Sequence, residues 1–387
     1  MKFQVEREAL AEAVSWAARS LPTRPSMPVL AGLVLDAGER PDGGAGLTIS
    51  GFDYEVSSRV EVAADVAEPG RALVSGRLLA EIARSLPNRP VDLASDGSKV
   101  TLTCGSARFS LLTMPVEDYP RMPDMPASSG RVPSAVFAAA VSQVVVAAGR
   151  DDTLPVLTGV LVEIEGSTVT MWTTDRYRLA VRDFTWTPES AAMSSRALVP
   201  ARTLSDTAKS LVGGDDVLLA LSTGGLGEGL MGFEGSSGKG ASSRRTTTRL
   251  LDGEFPKVRS LFPPETLTTA RIDTAHFVEA LKRVALVAER NTPVRLSFSE
   301  GELVLEAGAS DEAQATESID AQLKGDPIAI AFNPTYLLDG LSAIAAPVAV
   351  LNFTLSTKPA VIMGAAGPDA EQDTAYRYLL MPIRLSG

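Results

Sequence analysis

Met27-Pro28-Val29-Leu30-Ala31-Gly32-Leu33-Val34-Leu35-Asp36 returns later in the chain as Leu154-Pro155-Val156-Leu157-Thr158-Gly159-Val160-Leu161-Val162-Glu163. Pro28 is answered by Pro155 and Gly32 by Gly159, an offset close to one third of the 387-residue chain. Asn291-Thr292-Pro293-Val294-Arg295-Leu296-Ser297-Phe298 is a fainter third copy. A fixed period of this length marks a chain built from one repeated unit.

Other elements recur in the same order around these strings. A helix-like segment precedes each: Arg7 to Ser20, Ser134 to Ala148, and Thr274 to Arg290. In the last of these Phe277, Leu281, Val284 and Val287 return every three or four residues, the spacing of one helix face. A second, shorter helix follows in each copy, at Gly76 to Leu86, Ala201 to Leu211 and Asn333 to Ile344. Each copy closes with a strand and a tail, Ala107 to Pro120, Thr246 to Pro256 and Tyr376 to Leu385, and Tyr119-Pro120 matches Phe255-Pro256. Runs such as Leu47-Thr48-Ile49-Ser50 and Leu303-Val304-Leu305-Glu306 alternate apolar with polar, the pattern of half-buried antiparallel strands. Each copy therefore reads as two helices and six to eight short strands, an α+β unit with helices packed on curved antiparallel sheet. The boundaries are expected at 1–127, 128–262 and 263–387, with linkers near Asp124 to Arg131 and Ser260 to Thr266.

Composition narrows the function. The chain is 45% hydrophobic and 21% charged, which is globular. Its net charge of −11 argues against binding nucleic acid over the whole surface, but not against basic residues confined to one face. A single cysteine, Cys104 in the strand-like Val100-Thr101-Leu102-Thr103-Cys104, excludes an internal disulfide framework and fits a reducing compartment. The opening MKFQVEREAL lacks the apolar run of a signal peptide, and Ala135 to Gly149 is too short to span a bilayer, so a soluble cytoplasmic protein is expected.

Enzymatic chemistry finds little support. The one histidine, His276, stands at a helix start, which leaves no histidine-based triad or multi-histidine metal site. The acidic pairs Asp151-Asp152 and Asp215-Asp216 have no partner that would make them an acid–base or metal site. Gly227-Glu228-Gly229-Leu230-Met231-Gly232 fits a dinucleotide fingerprint in letters only. It runs into the Gly/Ser stretch Gly235 to Gly240 instead of the helix N-terminus that would hold a pyrophosphate, and Gly224 to Ser243 reads as a hairpin connection. An enzyme with a buried carboxylate site and a tandem-repeat scaffold remain as alternative classes.

The order of the repeats, with Pro28-Val29-Leu30, Thr174-Asp175-Arg176-Tyr177-Arg178-Leu179-Ala180, Asp252-Gly253-Glu254-Phe255-Pro256, Phe332-Asn333-Pro334-Thr335-Tyr336-Leu337 and Tyr378-Leu379-Leu380-Met381-Pro382-Ile383-Arg384-Leu385, resembles the bacterial sliding clamp family across essentially the whole chain. That resemblance implies a head-to-tail homodimer, a six-domain ring with helices lining the hole, and a non-catalytic processivity factor with no cofactor or metal. It implies that Arg108 and Phe109 meet Leu286 and Val287, with Glu312 or Glu317, across the joint between copies. It also implies that Arg24, Arg77, Arg84, Arg202, Lys209, Lys282 and Arg283 face duplex DNA, attracting phosphate without reading bases.

The implied partners are the replicative polymerase, the clamp loader and repair polymerases, held through a short motif of glutamine followed by small, polar and large apolar residues. The cleft for that motif maps to Leu157, Thr174, Arg176, Tyr177, Arg178, Leu179, Pro256, Leu261, Leu379, Leu380, Met381, Pro382, Ile383 and Arg384. Leu179, Leu379 and Met381 are expected to bury the partner's apolar side chains, methionine adapting to varied ligands. Many relatives carry Gly-His where this chain has Arg176-Tyr177, and Ser260 stands in place of a pocket arginine, so rim specificity is expected to differ.

Overall fold

The computed structural model describes residues 1–39, 44–222, 229–236, 243–288, 292–308 and 313–384. Each third of the chain runs through one succession of elements. The first holds β1 (Lys2–Val5), α1 (Arg7–Ala17), β2 (Gly32–Glu39), β3 (Ala45–Phe52), β4 (Val56–Ala63), β5 (Asp65–Glu68), β6 (Gly70–Ser75), α2 (Gly76–Ser85), β7 (Val91–Ser95), β8 (Lys99–Cys104) and β9 (Ala107–Met114). The second holds β10 (Ser128–Pro133), α3 (Ser134–Val145), β11 (Gly159–Glu165), β12 (Thr168–Thr174), β13 (Arg178–Thr185), β14 (Thr187–Pro188), β15 (Ser194–Pro200), α4 (Ala201–Leu211), β16 (Asp216–Leu221), β17 (Leu230–Ser236) and β18 (Ser243–Arg249). The third holds β19 (Thr268–Asp273), α5 (Thr274–Val284), β20 (Val294–Ser299), β21 (Gly301–Ala307), β22 (Ala315–Lys324), β23 (Ile328–Phe332), α6 (Pro334–Ala343), β24 (Val348–Phe353), β25 (Ala360–Ala365) and β26 (Gln372–Leu380).

The repeat is thus matched element by element, with local differences from the sequence reading. Among the described residues the first two copies carry one strand more than expected, because the short β5 and β14 have too few residues to show a period. The helices are shorter than their apolar patterns: α1 and α5 end in 3₁₀ turns at Ala18–Ser20 and Ala285–Val287, which satisfy the last carbonyls in a tighter coil. Pro28-Val29-Leu30-Ala31 is likewise a 3₁₀ turn, and the strand starts at Gly32. The stretch Ser128 to Arg131, read as linker, is strand, because its ladder partner β16 lies far along the chain. Most of Gly224 to Ser243 lies outside the described residues.

Two compact units emerge. The first comprises Met1–Ala138, Trp186–Met193 and Thr203–Leu250 and carries a fourteen-stranded antiparallel sheet in the order β14-β10-β16-β17-β18-β4-β3-β2-β6-β9-β8-β7-β1-β5. Leu10, Val14 and Ala17 of α1 and Leu79 and Ala83 of α2 are fully buried against Leu33, Leu35, Leu47, Ile49, Val60 and Val62. Each buried leucine or valine contributes about 2 kcal/mol of transfer free energy, so this sheet-facing stripe dominates the unit's stability. Helix α2 lies so close to the sheet that a Cβ on Gly76 would come within 2.4 Å of Leu21 Cδ1 and 2.7 Å of Leu33 Cγ. Within this unit the second copy joins the first by pairing β18 with β4, from Arg244↔Val60 to Thr248↔Val56. Buried Arg244 seals the join, donating to the Ser210 carbonyl at 2.9 Å, pairing with Glu12 at 2.5 Å and lying over the Trp16 ring.

The second unit comprises Ala139–Thr185, Ser194–Arg202 and Leu251–Gly387, with a twelve-stranded antiparallel sheet in the order β15-β11-β12-β13-β26-β25-β24-β19-β22-β21-β20-β23. Asp273 caps α5 by accepting from His276 N at 2.8 Å, and Asn333 caps α6 by accepting from Thr335 N and Tyr336 N, with Pro334 at the first helical position. His276 is therefore a helix-start residue, exposed and beside its cap. The third copy joins the second as the second joins the first: β26 pairs with β13, from Arg178↔Leu380 to Arg182↔Tyr376. In both joins the last strand of one copy meets the fourth strand of the copy before it.

Candidate peptide-binding cleft

The site grows from the turn between β12 and β13. Asp175 Oδ1 accepts from Tyr177 N at 3.0 Å and Arg178 N at 3.1 Å, and Arg176 N donates to Thr174 Oγ1 at 3.2 Å. These bonds hold Arg176 at φ +80°, a left-handed conformation costly for a residue with a Cβ. The first copy has the same turn: Asp53 Oδ1 accepts from Glu55 N and Val56 N, and Tyr54 has φ +74°. The strained turn belongs to the repeat; the side chain it presents does not.

Arg178 is the electrostatic centre. Its guanidinium is buried, yet Nε bonds Asp175 Oδ2 at 2.9 Å, Nη1 bonds Asp339 Oδ2 at 2.6 Å, and the group lies 4.2 Å from the Tyr336 ring centroid. Tyr177 stacks on Tyr336 with ring centroids 6.2 Å apart. Two carboxylates and two aromatic rings thus fix α6 against the β12–β13 turn. Helix α6 approaches β26 so closely that a Cβ on Gly340 would fall 2.4 Å from Tyr378 Cε1. The Tyr378 hydroxyl donates to the Tyr336 carbonyl at 2.8 Å.

Burial pushes the phenols of Tyr376 and Tyr378 well above the ordinary tyrosine range. Both stay protonated in the folded chain at a pH where unfolded tyrosines ionise, near 10. The stability they contribute is complete below pH 10 and is lost as pH rises above it, by about 1.4 kcal/mol per pH unit for each phenol. Urea unfolding of the Tyr376→Phe and Tyr378→Phe chains is expected to show shallower alkaline slopes than the parent. Parallel slopes would refute this.

Around this centre opens a cavity of about 460 Å³ lined by Arg150, Leu154, Leu157, Arg176, Tyr177 and Tyr336, among others. The expected cleft residues do not share one environment, because successive residues of a strand face opposite sides of the sheet. Thr174, Arg178, Leu179, Leu379 and Leu380 are buried. Leu157, Pro382 and Ile383 are half-buried, and Arg176, Tyr177, Pro256, Leu261, Met381 and Arg384 are exposed. Leu179 and Leu379, expected to meet a partner's side chains, lie in the single chain within a core cluster with Trp172, Val181, Phe255, Val258, Val361 and Met363. In the chain by itself they are core, because β13 and β26 pair side by side and turn both side chains into that cluster. The apolar surface left open is Leu154, Tyr177, Leu261 and Met381. The end of the chain is tied down by Met381 N donating to the Tyr177 carbonyl at 2.9 Å and Ile383 N to the Ala331 carbonyl at 2.8 Å.

Sequence reasoning missed Asp339 and Tyr336 as partners of Arg178, and Trp172, Val361 and Met363 beside Leu179. Asp339 stands 161 residues from Arg178, and no spacing rule links them.

All seven basic residues expected to face DNA are exposed. Four are engaged locally. Arg77 donates to the Pro22 carbonyl, Arg84 to the Ala80 carbonyl, Lys282 pairs with Glu279 at 2.8 Å, and Arg283 forks onto Glu317 at 3.0 and 2.5 Å. Exposed pairs of this kind are weak, being screened by water and salt, and leave the cations available to phosphate. Glu317, expected at a joint between copies, pairs in the single chain with Arg283, because α5 packs beside β22. Of the other joint residues, Leu286 is 84% exposed, Arg108 is exposed, and Val287 and Phe109 are half-buried, Phe109 against the first core. Glu312 lies outside the described residues. Among the described residues no group of three or more His, Cys, Asp or Glu could hold a metal ion, and no helix is long and apolar enough to cross a membrane.

Three family models divide the chain among them: the N-terminal domain of the DNA polymerase III beta subunit over residues 1–123, its central domain over 131–257 and its C-terminal domain over 259–384. The chain belongs to the DNA polymerase III beta subunit family. Within the family it is 64% identical to the beta sliding clamp of Streptomyces coelicolor over the full length of both chains. It is 49% identical to the beta sliding clamp homolog GriR of Streptomyces muensis over 99% of each. A Pseudomonas aeruginosa sliding clamp crystallised bound to griselimycin superposes with a TM-score of 0.88 at 26% identity, covering all of both chains. The Bacillus subtilis clamp has the same fold, with a TM-score of 0.88 over all of both chains.

Proposed function

We propose that two copies of this chain close head to tail into a six-domain ring around duplex DNA, and that the ring tethers replication and repair polymerases and the clamp loader through the cleft at the β12–β13 turn. As a beta subunit the chain is a non-catalytic processivity factor of the replicative polymerase. Tethering raises the local concentration of the polymerase at the primer end, so a dissociation becomes a slide along DNA. The reading takes the copies as 1–127, 128–262 and 263–387 and the compartment as the cytoplasm.

One observation carries the ring. Each internal join pairs the last strand of one copy with the fourth strand of another, β18 on β4 and β26 on β13. The third such pair is left open. Among the described residues β9 pairs from Ala107 to Leu112 on one edge only, and β22 from Ala315 to Ala321 on one edge only. An exposed edge seeks a strand, and a heterologous join that repeats the internal geometry closes after two copies. Charge supports it: Arg245 of β18 faces Glu61 of β4 at one internal join, and Arg108 of β9 offers the same charge to Glu317 and Asp320 of β22.

The test is retention. After loading onto nicked circular DNA the protein is expected to run as a dimer of twice its 40.6 kDa chain mass and to be released when the circle is linearised. The Arg24→Glu, Arg84→Glu double variant is expected to remain dimeric and lose most retention. Equal retention on linear and circular DNA would refute the ring, and unchanged retention of the variant would remove both arginines from the DNA face.

A further inference from the structure

Resting on the cleft reading, we infer that Arg176 and Arg150 give the cleft a cationic rim that selects partner segments carrying an acidic residue immediately outside the apolar motif. Both arginines line the 460 Å³ cavity together with Leu154 and Leu157. Both are exposed, and neither guanidinium has an ion-pair partner among the described residues. Three carboxylates line the same cavity, and two of them, Asp175 and Asp339, both bond the one buried guanidinium of Arg178. The third, Asp151, accepts from the Thr153 N–H at 3.0 Å and from the Thr153 hydroxyl at 2.7 Å. Those bonds hold its carboxyl below the ordinary range, with Arg176 contributing, so it stays ionised and offsets one cation. The three arginines and three aspartates of the lining sum to zero, so the positive charge is local to the exposed rim, where Arg150 and Arg176 face Asp151 while Asp175 and Asp339 are turned to buried Arg178.

The repeat shows that this charge is a choice of side chain and not a by-product of the fold. The position of Arg176 in the β12–β13 turn is taken in the first copy by Tyr54, at the same backbone conformation, with its hydroxyl on Met27 Sδ at 3.6 Å. Leu154 occupies the place of Met27 in the repeated string. Met27 and Leu154 are equally exposed, at 38% and 37%, but the first copy sets a tyrosine hydroxyl beside its residue where the second places an arginine in the cavity that Leu154 lines. The backbone there tolerates glycine without strain, so the arginine is kept against a conformational cost.

An extended peptide seated on Leu154, Tyr177 and Met381 would bring its flanking residue to this rim. An exposed charge pair contributes up to about 1 kcal/mol, which is about five-fold in affinity, and it weakens with salt. The experiment uses the full chain and capped peptides of the sequence Gln-Leu-Ser-Leu-Phe, plain or extended by one Asp, Asn or Lys at either end. Fluorescence polarisation at low and high salt reads the affinities. At one end Asp is expected to bind about five-fold more tightly than Asn and Lys more weakly, with the spread shrinking in high salt. The Asp-to-Lys ratio is expected to fall toward one in Arg176→Gln, Arg150→Gln.

Arg176→Gly provides a second variant that removes the charge while relieving the positive φ. It must lose the same ratio while unfolding at an equal or higher temperature. Equal binding of Asp, Asn and Lys peptides by the parent chain overturns the inference alone, as does a ratio that survives in both variants. Failure of every peptide, the plain motif included, overturns the cleft reading and this inference with it.

Discussion

Arg178→Ala is expected to destabilise the second unit by about 3 kcal/mol and to abolish measurable binding of a motif peptide. The substitution leaves Asp175 and Asp339 without their cation, and Asp175 is almost fully enclosed. Stranding a buried carboxylate costs about 3–5 kcal/mol. The lower end applies because Asp339 is 34% exposed and water takes over part of its solvation. The effect on binding follows from position, since the same guanidinium holds Tyr336 and α6 against the β12–β13 turn. Urea unfolding followed by tryptophan fluorescence gives the stability, and polarisation gives the binding. The Arg178→Ala, Asp339→Ala double variant should recover part of the stability, because it removes one stranded charge, but not the binding. A single variant within about 0.5 kcal/mol of the parent would show that the network contributes little.

Leu286→Asp is expected to convert the proposed ring into monomers with no loss of fold. Leu286 follows α5 and is 84% exposed in the single chain, so nothing inside the chain depends on it. A closed ring has two joints, and each would lose a buried leucine and gain an unpaired carboxylate, together about 3 kcal/mol. Two joints multiply to a roughly ten-thousand-fold weaker dimer. Sedimentation should then report the 40.6 kDa chain at concentrations where the parent is a dimer, with an unaltered unfolding curve. A dimer that persists would place the joint elsewhere than the open edges of β9 and β22.

Much of the architecture is readable in the residue order. The recurrence of Pro28-Val29-Leu30 at Pro155-Val156-Leu157 located the copies, and the helix and strand periods named all six α-helices in the described residues. Element ends were less readable, since a 3₁₀ turn such as Ala285–Val287 continues the apolar period of α5. The cleft was legible in part. The string Thr174 to Ala180 marks the β12–β13 turn, but not the exposure of each member. Arg178 and Leu179, both expected at the cleft, are buried in the single chain, Leu179 within the core cluster.

The division has one physical origin. Helix, strand and turn follow from interactions within a few residues, where side-chain period, Asx turns at Asp53 and Asp175, and caps at Asp273 and Asn333 act, so residue order alone decides them. Pairing of β26 with β13, the bond from Arg178 to Asp339 and the pairing of Glu317 with Arg283 join residues tens to hundreds of positions apart. Such contacts form because packing the helices and sheet brings those side chains together and removes them from water, a property of the assembled chain that no local pattern records.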